Sequence, residues 1–369
     1  MIMSENKEKS ALIAMSGGVD SSVAAYLMLK QGYRCLGTTM RLFRNPDIGL
    51  SDFHTCCSQK DIDDASEVAF QLDMPYEVLD FTLDFRERII DKFIRVYESG
   101  GTPNPCIDCN RYMKFDKLLS FADEKGLEFV VTGHYARIAF DDQSCRYLLK
   151  KAVDPDKDQS YVLYMLTQSQ LARMRFPLGE MKKTETRAIA ESLGLCNARK
   201  HDSQDICFVP DGDYAGFMEG YTGKHYPPGP YLDEEGQVLG MHRGAVRYTV
   251  GQRKGLGIAL GRPAYVIDKN MEENTVTLGP DSSLYADALL AEDMNWIAVP
   301  ELKEPLRLKA KIRYRQEEQP ALVSPEEEGW VRVEFDRPQR AIAPGQALVL
   351  YDGDVVVGGG TICRVCGRK

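Results

Sequence analysis

Apolar residues run without a break from Ala11 to Met15, and a turn of small residues, Ser16-Gly17-Gly18-Val19-Asp20-Ser21-Ser22, follows at once. Beyond it Val23, Ala24, Leu27 and Met28 recur at the spacing of a helix face as far as Gly32. A strand, a tight loop and a helix are predicted in that order. Residues 34–40 and 76–81 read as further strands, with a helix over 61–72 between them and Ser58 as its N-cap. A helix over 85–97, a loop GGTPNPCIDCN, a helix over 113–124 and a strand over 129–132 continue the pattern. Such alternation predicts an α/β domain built on a doubly wound parallel sheet.

After Gly133 the pattern changes to a hairpin, 135–140 with 146–150, and then to short helices over 161–171 and 184–193. The sheet domain is expected to occupy 1–211. From 212 onward Gly and Pro are dense, as in HYPPGPY and GQRKGLGIALGRP, which predicts a small central domain of loops and short strands over 212–286. The runs 306–314, 330–335, 347–351 and 354–357 are short, strand-like and separated by turn residues. They predict a C-terminal β-barrel over 287–369.

A length of 369 residues suits two or three domains. No stretch of about 18 apolar residues exists to cross a bilayer, so no membrane partner is expected. The first ten residues are charged and lack the apolar core of a secretory signal. A cytoplasmic setting with reduced cysteines follows as the expectation. The net charge of -9 argues against bulk attraction to nucleic acid, so any such contact must come from local patches. Two are visible. Arg307, Lys309, Lys311, Arg313 and Arg315 alternate with Leu308, Ala310, Ile312 and Tyr314, and a strand there would gather five cations on one face. Residues 238–267 hold Arg243, Arg247, Arg253, Lys254 and Arg262 and no acid. The plainer reading of the first is a solvated strand face.

Chemistry concentrates first in the SGGVDSS turn. Two glycines let backbone N–H groups approach phosphate, and the helix that follows offers its positive end. No lysine follows the glycines as in a Walker A loop, which disfavours transfer of a terminal phosphoryl group. An ordinary Gly-rich turn is the bland alternative. The string resembles the PP-loop of enzymes that adenylate a substrate with ATP and release pyrophosphate, with Asp20 as a magnesium-side carboxylate. Amide ligases and sulfur-inserting enzymes share that loop. Cys106 and Cys109 lie in NPCIDCN and Cys207 in HDSQDICFV, polar or turn-rich settings. A cysteine is more often a small buried apolar residue, and nucleophilic use needs an accessible thiolate. Together with TGHYAR, DKDQSYVLY, DSQDICF, GQRKGLGI and KIRYRQ, these motifs resemble the bacterial tRNA 2-thiouridylase family, MnmA, over most of the chain.

That resemblance implies ATP-dependent 2-thiolation of the wobble uridine of tRNA. Ala14, Met15, Ser16, Gly17, Gly18, Val19, Asp20, Ser21, Met40 and Gly133 would hold ATP with magnesium. Cys109 matches the attacking cysteine and Cys207 the one that receives sulfur as a persulfide from an upstream donor protein, with a Cys109–Cys207 disulfide as by-product. Asn104, Pro105 and Cys106 match the target-base loop, while Lys157, Asp158, Gln159, Arg313 and Tyr314 match residues that touch tRNA. Cys106 stands where the family more familiarly has aspartate, with Asp108 two residues later. Cys106, Cys109 and Cys207 are therefore also a candidate ligand set for an iron-sulfur cluster with one open iron. An adenylating amide ligase of the same loop superfamily is the runner-up enzyme, and a non-catalytic RNA-binding protein is the alternative from another class. Cys363 and Cys366 are read as surface tail thiols rather than a redox or metal pair. His54, Cys56 and Cys57 are read as loop packing, and Cys35, Cys145 and Cys196 as structural.

Overall fold

The computed structural model describes residues 9–44, 59–202 and 206–368. Ser58, His54, Cys56 and Cys57 lie outside the described residues. The chain forms two compact units, one running up to Ile89 and again from Cys106 to Pro210, the other comprising Ile90–Pro105 and Asp211–Lys369.

In the first unit the strands are β1 (Ser10–Ala14), β2 (Arg34–Arg41), β3 (Tyr76–Asp80), β4 (Phe129–Val131), β5 (Ala136–Asp141), β6 (Arg146–Lys151) and β7 (Met174–Arg175). The main sheet is parallel, in the order β3-β2-β1-β4-β7, and β5 and β6 pair as an antiparallel hairpin. Ala11, Leu12 and Ile13 are fully buried, as a central parallel strand covered on both faces requires. Ala11 and Ile13 pack with Val23, Ala24 and Met28 of the helix α1 (Val19–Lys30) and with Ala65, Val68 and Ala69 of α2 (Gln59–Gln71). Each large apolar side chain so buried contributes roughly 1.5–3 kcal/mol. The chain leaves β1 toward β2 on one side and returns to β4 on the other. The crevice outside the carboxyl ends of β1 and β4 is therefore the switch point at which such sheets bind ligands.

Two segments around the SGGVDSS and NPCIDCN motifs differ from the sequence reading. Helix α1 starts at Val19, with Gly18 as an extended N-cap (φ -91°, ψ 158°), so Asp20, Ser21 and Ser22 form its first turn and not a preceding loop. The segment read as a loop is helical from Pro105, with an α-turn over Pro105–Asp108 and a π-helix over Cys109–Lys117. Proline at a first helical position is compatible with that start, because its missing N–H would be unpaired there in any case.

In the second unit β8 (Gly229–Leu232), β9 (Val238–His242), β10 (Tyr265–Asn270) and β11 (Thr275–Gly279) form one sheet in the order β10-β11-β8-β9. Its core gathers Tyr231, Tyr248, Val266, Val276 and Leu278. The remaining strands are β12 (Tyr285–Trp296), β13 (Leu306–Lys311), β14 (Gln319–Pro325), β15 (Val331–Arg340), β16 (Ala347–Asp352) and β17 (Val355–Arg368). They pair antiparallel as β12-β15-β14-β13-β16-β17, and β17 pairs back onto β12 to close a six-stranded barrel. Val331, Val333 and Phe335 turn inward while Glu334 faces out, the two-residue alternation of a barrel wall.

The five-cation strand is not formed. β13 ends at Lys311, Ile312 is buried, and Arg313 and Arg315 lie in a turn closed by Gln316 N–H donating to the Arg313 carbonyl at 3.2 Å. Arg307 pairs with Asp336 at 2.7 Å, so the strand face is not free of acid either. The pair Cys363 and Cys366 belongs to β17 and is half-buried, not a surface tail, and Cys363 Sγ donates to the Leu290 carbonyl at 3.3 Å. Of the cysteines read as structural, Cys35 is buried, whereas Cys145 and Cys196 are exposed.

Candidate active site

The glycines of the SGGVDSS turn are required by its shape. Gly17 has φ +69°, and a Cβ there would collide with the Asp61 backbone carbonyl oxygen. Gly18 caps α1 without a side-chain acceptor, which leaves the first-turn N–H groups facing the crevice end of the sheet. The hydroxyls hold the turn: Ser21 Oγ accepts from Ser16 N–H at 3.1 Å and donates to the Gly18 carbonyl at 3.0 Å, and Ser22 Oγ donates to the same carbonyl at 3.1 Å. Asn197 Nδ2 donates to the Gly17 carbonyl and to Ser22 Oγ from 180 residues away in sequence. Lys200 Nζ reaches the Gly17 carbonyl, Asp61 and Asp64. Burial works against the Lys200 charge, but its two carboxylate partners more than offset this and hold its pKa above the usual lysine value.

Gly133, just past β4, lies against the start of α1, where a Cβ would come within 2.7 Å of the Asp20 backbone carbon and the Ser21 nitrogen. Ala14 and Met40 sit at the carboxyl ends of the neighbouring strands β1 and β2. The residues expected to hold ATP, Ala14 to Ser21 with Met40 and Gly133, thus share one end of the sheet. A helix N-terminus beside glycine-shaped backbone is suited to a polyphosphate.

An ionic network missed by sequence reasoning surrounds Asp20. Lys183 Nζ lies 2.7 Å from both Asp20 oxygens and 2.7 Å from Asp202 Oδ1. Asp202 also accepts from Lys157 at 2.8 Å and Arg187 at 3.2 Å. Tyr135 donates its hydroxyl proton to Asp20 at 2.9 Å, and burial, then Asp20, pushes the phenol pKa upward. Burial tends to raise the Asp202 pKa, but the Lys157 and Lys183 hydrogen bonds outweigh it, and the carboxyl titrates below its ordinary range. Next to the same turn, His134 is buried and shares a 2.7 Å hydrogen bond with Thr132.

Cys109 is buried at the start of the π-helix, and Asn110 beside it donates to the Val162 carbonyl at 2.9 Å. Cys106, one turn earlier, is exposed, and Cys207 is half-buried. The buried Phe208 that follows it packs edge-on against Phe85 at 5.8 Å. Among the described residues no three His, Cys, Asp or Glu side chains converge as a metal-binding group. Cys106, Cys109 and Cys207 as arranged do not fit a shared cluster, which needs its thiolates aimed at one centre.

Of the residues expected to touch tRNA, three have structural partners in the first unit. Lys157 is paired with Asp202, Asp158 Oδ1 accepts from the Ala152 N–H at 2.9 Å, and Gln159 Oε1 accepts from the Tyr135 N–H at 2.9 Å. In the second unit Arg313 donates to the carbonyls of Ala341 (2.6 Å) and Val250 (3.4 Å), whereas Tyr314 is exposed. Asn104 is half-buried and Pro105 buried. In the acid-free stretch Arg247 is neutralised by Glu219 at 2.7 Å, while Arg253, Lys254 and Arg262 are exposed.

The sequence matches a tRNA methyl transferase HUP domain over residues 9–211, a tRNA methyl transferase PRC-barrel domain over 215–280 and an aminomethyltransferase beta-barrel domain over 286–362. The tRNA-specific 2-thiouridylase MnmA of Acetivibrio thermocellus is 50% identical over 356 residues, covering 96% of this chain and 99% of that protein. Its namesake in Clostridioides difficile is 47% identical over 354 residues, covering 96% and 98%. A solved 4-thiouridine synthetase, in complex with RNA and bound ATP, aligns with 55% of this chain and 45% of its own at 20% identity and a TM-score of 0.34. On the HUP-domain match over more than half of its length and the near full-length relatives, the chain belongs to the tRNA-specific 2-thiouridylase family, MnmA.

Proposed function

We propose that the protein is an ATP-dependent tRNA-uridine 2-sulfurtransferase, with residues 1–211 as the adenylating domain, 212–286 as a small central domain and 287–369 as a tRNA-contacting barrel. The near full-length identity to proteins named as tRNA-specific 2-thiouridylases carries the reading. The glycine-shaped turn at the head of α1 supports the use of ATP, since Gly17 to Ser21 offer N–H groups to the phosphates. Magnesium alongside the triphosphate would neutralise charge as pyrophosphate departs, with Asp20 the nearby carboxylate.

In the first step the uracil 2-oxygen attacks the α-phosphorus of ATP and pyrophosphate leaves, making O2 part of a good leaving group. In the second, the terminal sulfur of a Cys207 persulfide, supplied by an upstream donor protein, attacks C2 and AMP departs. The Cys109 thiolate then attacks the Cys207 sulfur of the resulting disulfide bond. The electron pair of that bond leaves with the sulfur now on C2, yielding 2-thiouridine and a Cys109–Cys207 disulfide. Reducing thiols of the cytoplasm, where the reading places the protein, restore both cysteines.

Mass spectrometry of nucleosides from unmodified tRNA tests this. With protein, ATP, magnesium and a persulfide donor, 2-thiouridine is expected to form only when ATP is present. It is expected to vanish in Cys109→Ser and Cys207→Ser. An adenylating amide ligase would be indifferent to both substitutions, and a binding protein would turn over no ATP.

A further inference from the structure

We propose that Asp202 is a positioning residue, tying the segment that carries Cys207 to the adenylating turn and to the Lys157 segment. The inference rests on the sulfurtransferase reading and deepens it. One carboxylate receives three cations from separate places in the chain: Lys157 at 2.8 Å, Lys183 at 2.7 Å and Arg187 at 3.2 Å. Lys183, only 9% exposed, bridges it to Asp20 in the first turn of α1. Lys157 precedes Asp158 and Gln159, whose side chains fix the Ala152 and Tyr135 backbone. Arg187 adds bonds to the carbonyls of Ala198 (3.5 Å) and Lys200 (3.3 Å), and Lys200 in turn holds the Gly17 carbonyl.

Reach makes the tie matter. Cys207 follows Asp202 by five residues, so a fixed Asp202 confines it within about 18 Å at full extension. On its other side the buried Phe208, packed on Phe85, fixes the chain again. Cys207 thus lies between two anchored residues, Asp202 and Phe208. A sulfur delivered to an activated base needs such a constraint, because small misplacements of reacting groups cost large factors in rate. The two halves of the reaction are thereby linked through Asp20–Lys183–Asp202, with Asp202 itself touching neither ATP nor the reacting sulfur.

The test compares tRNA-dependent pyrophosphate release with 2-thiouridine formation in single-turnover reactions of the full-length protein. In Asp202→Asn, thiolation is expected to fall at least about tenfold while pyrophosphate release stays within about twofold, and Asp202→Glu is expected to restore thiolation. Lys157→Met keeps the other two cations on Asp202 and is expected to fold. It is expected to lower the ratio of thiolation to pyrophosphate release about threefold. If Lys157 instead serves only to hold tRNA, both rates fall together. A parallel fall in both variants, or an unchanged ratio in both beside an active wild type, overturns the inference and leaves the sulfurtransferase reading standing. A wild type that makes no 2-thiouridine overturns both.

Discussion

Gly133 stands so close to the head of α1 that a methyl group on it would lie 2.7 Å from the Asp20 backbone carbon. The turn after β4 is thus packed against the backbone of the first turn of α1 at the carboxyl end of the sheet. Gly133→Ala is expected to push the two apart and to weaken ATP binding about tenfold, ~1.4 kcal/mol. Calorimetric titration with ATP checks this, and an unaltered affinity would mean that the nucleotide does not use this junction.

Gly17→Ala combines two penalties. The left-handed backbone costs a non-glycine residue about 1–2 kcal/mol, and the new Cβ meets the Asp61 carbonyl. Urea denaturation is expected to show a loss of at least that size, together with loss of ATP binding. Stability within error of wild type would mean that the turn does not depend on this glycine.

Much of the α/β unit is legible in the sequence, because buried parallel strands such as Ala11–Ile13 are continuous apolar runs and SGGVDSS marks the turn by its glycines. Other parts are hidden for identifiable reasons. β12 is rich in Ala, Glu and Asp, residues depleted in strands, and only barrel pairing makes it one. β14 carries Pro320 and Pro325, which read as breakers. At the site, Lys183 and Asp20 are 163 residues apart in sequence, so no local pattern announces their pairing. Cys109 looks like loop chemistry in NPCIDCN, although Pro105 starts a helix that buries it.

Arginines of the second unit are expected to separate by role. Arg253 is exposed and lies 6.0 Å over the Tyr265 ring, so Arg253→Ala is expected to leave stability within about 0.5 kcal/mol. It is expected to reduce the salt dependence of tRNA binding by about one unit of slope. Arg313→Ala removes a guanidinium bonded to the Ala341 carbonyl and is expected to cost about 1.5–3 kcal/mol of stability. Filter binding across a salt series and urea titration read the two effects. Equal loss of stability in both variants would remove the distinction.

His134 predicts a pH dependence. Burial, with the Lys114 charge adding to it, holds its pKa well below the ordinary histidine value, so the folded protein keeps it neutral. The unfolded chain takes up a proton near pH 6.5, which makes this contribution complete above that pH and progressively lost below it. The loss approaches about 1.4 kcal/mol per pH unit. Between pH 7 and 5 the stability of His134→Gln is expected to fall less steeply than that of wild type. Parallel curves would refute the assignment.

Thiol labelling is expected to follow environment. Burial pushes the Cys35 thiol up to about 11, so at pH 8 only about one molecule in a thousand carries its thiolate. Cys106 and Cys145 are exposed. Peptide mapping after brief iodoacetamide treatment of the folded protein is expected to find these two modified and Cys35 intact. Early labelling of Cys35 would show that the β2 environment opens readily.

The β12–β17 seam sets a timetable for biosynthesis. Residues that close the barrel with Tyr285–Trp296 are supplied by Val355–Arg368, the last of the barrel's strands in chain order. During synthesis five strands of the wall precede the strand that makes it a ring, and until β17 arrives β12 presents an unpaired edge. The α/β unit has its strands from β1 to β7 well before this point. The barrel is consequently the part of the nascent chain in which an open strand edge must wait for its partner.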